Sequence, residues 1–336
     1  MRVAILAHEK FPDDAKTAAG VLRYGDQDVA AVLDRDTAGN RVHDYLPDVQ
    51  DSPVVAGIED VPGDIDRLII GIAPIGGGLD ESWRPDINGA IEQGADVVAG
   101  LHYFLSEDEQ LSRLADEHGV ELWDVRKPPA NLGVADGTAR EVDAEIVLTV
   151  GTDCSTGKMT TTWSLLEAAR ERGWDAAAVP TGQTGVMVEG SGTVVDRTIS
   201  DFTAGAVERM VEERADHDYL FVEGQGSITH PAYSGVTLSI LHGSMPDSLV
   251  LCHEAGRENI RKYESFPIPH PTEYVDLYER LTAPLHETDI VAGALNTRFI
   301  EGDDQAREAV EKYGAAIDAP ATDPVRFDAD EVLDAL

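Results

Sequence analysis

One stretch of this sequence has the residue types and spacing to hold phosphate: Gly151-Thr-Asp-Cys-Ser-Thr-Gly157-Lys158-Met159-Thr160-Thr161. Glycines let the backbone curl until successive N–H groups face phosphate oxygens, a helix starting there presents its positive end, and a lysine adds a full charge. Lys158 stands where that lysine is needed. Gly151, Thr152, Ser155, Thr156, Gly157, Met159, Thr160 and Thr161 are the other residues expected to wrap the phosphates. The context fits: residues 145–150 form an almost uninterrupted apolar run, as in a strand buried on both faces, and residues 163–172 read as helix.

Two departures narrow the ligand. Five residues, not four, separate Gly151 from Gly157, a longer loop that resembles the one in dethiobiotin synthetase and its relatives. Met159 occupies the position where a Ser or Thr hydroxyl normally coordinates the magnesium of bound ATP, and a thioether is a poor ligand for a hard cation. A pyrophosphate that needs no metal suits this loop better, and coenzyme A carries one. Asp153 would repel phosphate if it faced inward, so it is expected to point away, to help bind a cation or to hold a substrate amine. Cys154 lies where a helix N-terminus can lower a thiol pKa, but the sequence places no base beside it, and it reads as a small loop residue.

Other candidates sit at strand ends, which in a parallel sheet meet along one edge. Residues 218–227 read as a strand ending in Glu223-Gly-Gln225-Gly-Ser227, similar to a Walker B strand with Glu in place of Asp. Glu223 is expected to act as base or cation ligand. Residues 179–185 form a Gly-rich polar connection in which Gln183 and Thr184 could touch substrate, as could Gln225 and Ser227. His230, His242 and His253 match no compact zinc spacing, so no metal site is expected; His230 fits a proton shuttle and His242 a substrate contact. Asn296 ends a strand where related P-loop folds hold the base, so it could read adenine. Arg126, Arg257 and Arg298 are candidate anchors for carboxylates. Gly71-Ile-Ala-Pro74-Ile-Gly76-Gly77-Gly78 lacks dinucleotide-site spacing and reads as a turn.

The elements that must carry these groups follow an alternating pattern of short apolar strands and helices, which is the signature of α/β folds with mainly parallel sheets. In the first half strands are expected at residues 3–7, 29–33, 67–73, 96–99 and 120–124, with a helix at 108–118. The second half adds strands at 145–150, 176–179, 219–222, 248–251 and 289–294. Arg126-Lys127-Pro128-Pro129 and the polar stretch after it mark a boundary. The expected division is a Rossmann-like domain over 1–130, a linker over 131–144 and a P-loop NTPase-like domain over 145–336.

Charge bounds the partners. Against 26 Lys and Arg stand 63 Asp and Glu, a formal charge of −37, which repels nucleic acid. The acids are scattered and lysine is scarce, a pattern that resembles proteins of salt-loving archaea, where salt screens self-repulsion. No run approaches the roughly 18 to 20 apolar residues that span a bilayer, and residues 1–11 lack a signal-peptide core. Two cysteines imply no disulfide framework and fit the cytoplasm. A homo-oligomer is the default expectation.

GTDCSTGKMTT, PTGQTGVMV, VEGQGSITHPAYSGVTLSILHGSMPDSLVLCH, GLHYFLSEDE and DVRKPP together resemble the D-glutamate N-acetyltransferase family, the DgcN-like proteins. That resemblance implies acetyl-CoA as donor, D-glutamate as acceptor and a role in D-glutamate breakdown. Glu223, Lys158, His230 and Asp153 then become the catalytic candidates. Two other readings of the loop stay open: a Mg-ATP-dependent ligase or kinase, and a noncatalytic nucleotide-binding regulator.

Overall fold

A computed structural model describes residues 1–72 and 77–336. The chain forms two units: Met1–Pro128 with Gln183–Arg197, and Pro129–Gly182 with Thr198–Leu336.

The first unit is built on Val-, Ile-, Leu- and Ala-rich strands whose side chains are buried on both faces: β1 (Arg2–Leu6), β2 (Asp28–Leu33), β3 (Val54–Val55), β4 (Arg67–Ile70), β5 (Asp96–Ala99) and β6 (Leu122–Asp124). All pair in parallel in the order β3-β2-β1-β4-β5-β6, the order of a Rossmann-like sheet. Between strands run α1 (Lys16–Tyr24), α2 (Arg84–Glu92) and α3 (Glu109–His118). Asp108, expected as the first residue of α3, is its cap: the carboxylate accepts from the N–H groups of Gln110 and Leu111. The strand expected over 67–73 ends at Ile70. Pro74 and Gly76 of the glycine-rich turn lie outside the described residues.

The second unit holds β7 (Glu145–Gly151), α4 (Lys158–Glu171) and β8 (Ala176–Val179). The chain then enters α5 (Gln183–Glu189), which packs within the first unit. It continues through α6 (Ser200–Glu212), β9 (Tyr219–Val222), α7 (Ser234–Ser244), β10 (Ser248–Glu254), the hairpin β11 (Asn259–Ile260) and β12 (Tyr263–Pro267), α8 (Pro271–Thr282), β13 (Asp289–Asn296), α9 (Asp303–Ile317), β14 (Ala321–Thr322) and α10 (Asp330–Leu333). The large sheet is parallel, ordered β14-β13-β10-β7-β9-β8. Its central strand β7 therefore has β9 on one side and β10 on the other, so residues ending those three strands share one edge.

Within residues 131–144, expected as a linker, the buried Glu208 carboxylate accepts from the N–H groups of Asp136, Gly137 and Thr138 at 2.6, 2.6 and 2.8 Å. Among the described residues no helix is long and apolar enough to cross a membrane.

Candidate active site

The apolar run of β7 ends at Gly151, and seven residues later α4 begins at Lys158, five residues before the helix expected from apolar spacing alone. Ser155 and Gly157 take left-handed backbone, which curls the loop. A Cβ at Gly151 would stand 2.8 Å from Lys158 Nζ and 2.9 Å from Thr156 Oγ1, so a side chain there would push the lysine and the threonine from their places. Lys158 is buried, and its ammonium donates to the Asp153 carbonyl at 2.8 Å, with Thr156 Oγ1 at 3.5 Å. Burial lowers the Lys158 pKa.

Two fully buried tyrosines, one turn apart on α8, brace the loop from beneath. Tyr278 Oη donates to the Gly151 carbonyl at 2.9 Å and Tyr274 Oη to the Thr152 carbonyl at 2.8 Å. Burial raises both phenol pKa values, that of Tyr274 to about 12, so both stay donors. His253 Nδ1 meets Thr152 Oγ1 at 2.7 Å, and burial lowers its pKa to about 4. Replacing Tyr278 with Phe removes the donor to Gly151 and the acceptor of the Ile228 N–H. It should cost about 1–3 kcal/mol of stability, read as a lower denaturation midpoint; an unchanged midpoint would show that the brace contributes nothing.

Glu223 follows β9, the neighbour of β7. The glycine after it is dictated by packing, since a Cβ at Gly224 would overlap the Thr149 carbonyl at 1.7 Å. Glu223 is 3% exposed, and its Oε2 accepts from Gly182 N at 2.8 Å and Thr181 N at 3.2 Å. Burial pushes its pKa up, and the Gly182 and Thr181 N–H groups and Lys158 pull against that. Gln225 Nε2 reaches Thr181 Oγ1 at 3.3 Å; Ser227 is fully buried, with its Oγ 3.4 Å from Thr229 Oγ1.

His230 lies 2% exposed against the rings of Tyr233 and Tyr263, and burial lowers its pKa. Its Nδ1 accepts the Ala232 N–H at 3.1 Å, which leaves the proton of the neutral ring on Nε2. That nitrogen is 3.9 Å from Asp153 Oδ1. Asp153, Cys154 and His230 bring ligand-type atoms within 4.8 Å of one another. A protonated Nε2 offers a metal no lone pair, and Asp153 already faces a guanidinium.

Asp153 and Arg257 occupy each other. Arg257 Nη1 is 3.0 Å from Asp153 Oδ2, which also accepts from Arg261 N, while Oδ1 accepts from Cys154 N. Arg257 Nη1 also donates to the Cys154 carbonyl, and the rest of the guanidinium binds Glu254. Arg257, expected as a carboxylate anchor, thus clamps the loop, and the Asp153 carboxylate is held as part of that clamp. Asn296, ending β13, sits beside the loop, with Nδ2 3.9 Å from the position of a Cβ on Gly157. Arg298 is half exposed and lies 2.8 Å from Glu254 Oε2.

His242 requires a correction. It lies in the last turn of α7, just before β10 begins, at the sheet edge opposite the loop, and its Nε2 pairs with the Leu281 carbonyl at 2.9 Å. Arg126, Gln183 and Thr184 belong to the first unit. There Arg126 pairs with Asp196, donates to Gln183 Oε1 at 2.8 Å and to the Gly100 carbonyl at 2.7 Å, and burial with the nearby Arg197 lowers its pKa to about 10. Thr17 Oγ1 links Gln183 and Thr184.

Three contributors escaped the sequence reading: Tyr274, Tyr278 and Glu254. The pair of tyrosines four apart in PTEYVDLYERLT reads as core, and Glu254 follows a histidine at a strand end whose extent was underestimated.

Comparison with known proteins adds the relatives. Residues 35–128 match a domain of unknown function described as the Rossmann-like DUF1611_N, and residues 133–333 match the P-loop domain DUF1611_C. A D-glutamate N-acetyltransferase of Pseudoalteromonas is 37% identical over 79% of this chain and 80% of its own length. One from Tritonibacter scottomollicae is 36% identical over 80% of each. The crystal structure of a DUF1611 family protein from Anabaena variabilis is 41% identical, with a TM-score of 0.93 over 99% of this chain and 98% of that one.

Proposed function

The chain belongs to the DUF1611 family, and from that premise we propose that it is a D-glutamate N-acetyltransferase, converting acetyl-CoA and D-glutamate to N-acetyl-D-glutamate and coenzyme A. The observation that carries this reading is the convergence of Lys158 and Glu223 on one sheet edge, in a chain 37% identical to an enzyme of that name.

The chemistry needs three things. The donor must be held: the loop N–H groups, the start of α4 and Lys158 suit its diphosphate without a metal. The acceptor arrives as an ammonium and must lose a proton before its nitrogen attacks the thioester carbonyl; Glu223, a buried carboxylate, takes that proton. The tetrahedral intermediate carries an oxyanion that wants N–H donors. His230 Nε2–H, fixed by the Ala232 bond to Nδ1, supplies one, which replaces the proton-shuttle role expected for this ring. The intermediate collapses by breaking the C–S bond, the leaving thiolate taking back the proton that Glu223 holds to give coenzyme A. The scheme requires the pantetheine arm to fold back so that the thioester reaches Glu223.

The remaining features complete the proposal. The charge of −37 fits work in concentrated salt, as in a salt-loving archaeon, although both curated relatives are bacterial. We place the enzyme in the cytoplasm, acting on D-glutamate in its breakdown, as a homo-oligomer. A Mg-ATP enzyme would need a hydroxyl where Met159 stands. In a concentrated-salt buffer, acetyl-CoA with D-glutamate should give N-acetyl-D-glutamate, detected by mass; its absence would sink the proposal, and phosphate release from Mg-ATP would favour the ligase or kinase.

A further inference from the structure

A groove of about 550 Å³ on the P-loop unit is lined by Glu254, Ala255, Gly256, Arg257, Phe299 and Ile300. It opens at the carboxyl ends of β10 and β13. There the strand order reverses between β7 and β10, the place where open parallel sheets take ligands. Arg257 joins the groove to the phosphate loop, with Nη1 2.6 Å from the Cys154 carbonyl and Nη2 3.4 Å from that of Ser155.

The groove has one carboxylate and one platform. Glu254 is 5% exposed, and its Oε1 is taken by Arg257. Its Oε2 faces Arg298 Nη2 at 2.8 Å in an ion pair outside hydrogen-bond geometry. A carboxylate oxygen has room for more than one donor, so Oε2 can still accept an N–H or O–H from a ligand. The platform is Phe299, 72% exposed, with the Arg298 guanidinium 4.4 Å from its ring centre. A Cβ on Gly256 would meet nothing within 4 Å, so the groove is open there to a flat ring.

We infer that this groove holds the nucleoside of an adenosine diphosphate unit. Its base stacks on the Phe299–Arg298 pair, its exocyclic amine or a ribose hydroxyl donates to Glu254 Oε2, and its diphosphate runs past Arg257 into the loop. Arg298 then serves the donor, not the carboxylates of glutamate. The inference rests on the proposed acetyl-CoA donor, but ATP carries the same unit, so the test separates them.

The probes are ADP by calorimetry, and acetyl-CoA against acetyl-pantetheine by kinetics, for wild type, Phe299→Ala and Glu254→Gln. Both variants should bind ADP about tenfold more weakly and lose about tenfold in kcat/KM for acetyl-CoA, and Phe299→Ala should use acetyl-pantetheine as wild type does. Phe299 is exposed, so that variant should keep the wild-type denaturation midpoint. Unchanged ADP affinity, or an equal loss with both donors in Phe299→Ala, would overturn the groove assignment. A protein that binds ADP through Phe299 but hydrolyses ATP and ignores acetyl-CoA would keep the groove and sink the transferase. A transferase indifferent to Phe299→Ala would do the reverse.

Discussion

Replacing Lys158 with alanine should weaken acetyl-CoA binding about 100-fold, equivalent to roughly 3 kcal/mol, the usual loss when one partner of a buried charge-assisted contact is removed. Lys158→Met, which keeps the apolar stem packed, should lose as much, and that separates the charge from the packing. The ammonium is buried, so salt should screen it little and the effect should persist as ionic strength rises. Acetyl-pantetheine, which has no diphosphate, should be used equally by wild type and variant. Calorimetry of acetyl-CoA on both proteins checks the first claim. Unchanged affinity would mean that the donor's diphosphate lies elsewhere.

Glu223→Gln should act on the other half of the reaction. The amide keeps the shape and one oxygen for the Gly182 and Thr181 N–H groups but cannot take a proton. We expect kcat to fall by about 10² to 10⁴, with acetyl-CoA affinity within about twofold of wild type. Burial raises the Glu223 pKa, and a base must be ionised, so wild-type turnover should rise as pH rises through that folded value. The variant should lose this limb. Stability should move the other way. Below the unfolded pKa both states are protonated. Above it the fold resists ionisation of the buried carboxyl, so native stability falls as pH climbs towards the folded pKa. The glutamine variant escapes that penalty and should melt no lower than wild type at neutral pH. A variant that keeps kcat would remove Glu223 from the base role.

Much of this was legible before any coordinates. β5, β8 and β9 coincide with the residues expected from their apolar runs, because a strand buried on both faces leaves a continuous signature. The loop and Lys158 were legible for a related reason: the glycines are placed by backbone geometry. What failed depended on partners. Arg257 is a lone cation in sequence, and nothing local says that Asp153 and Glu254 will claim it. His242 sits in a polar-looking stretch, but the turn of α7 carries it to the far edge of the sheet. The start of α4 was missed because its buried residues Lys158, Thr161 and Thr162 are polar, with Thr162 bonded to Thr149 of β7, and so carry no apolar periodicity. The segment Gln183–Arg197 reads as a loop of the P-loop domain, yet packs in the first unit, a choice that composition does not encode.

The most direct test follows free thiol in concentrated salt while the protein is given acetyl-CoA with D-glutamate or with L-glutamate. The account predicts thiol release with the D enantiomer, matched mole for mole by N-acetyl-D-glutamate and lost in Glu223→Gln. No thiol release with either enantiomer, from protein that is folded and binds acetyl-CoA, would contradict it.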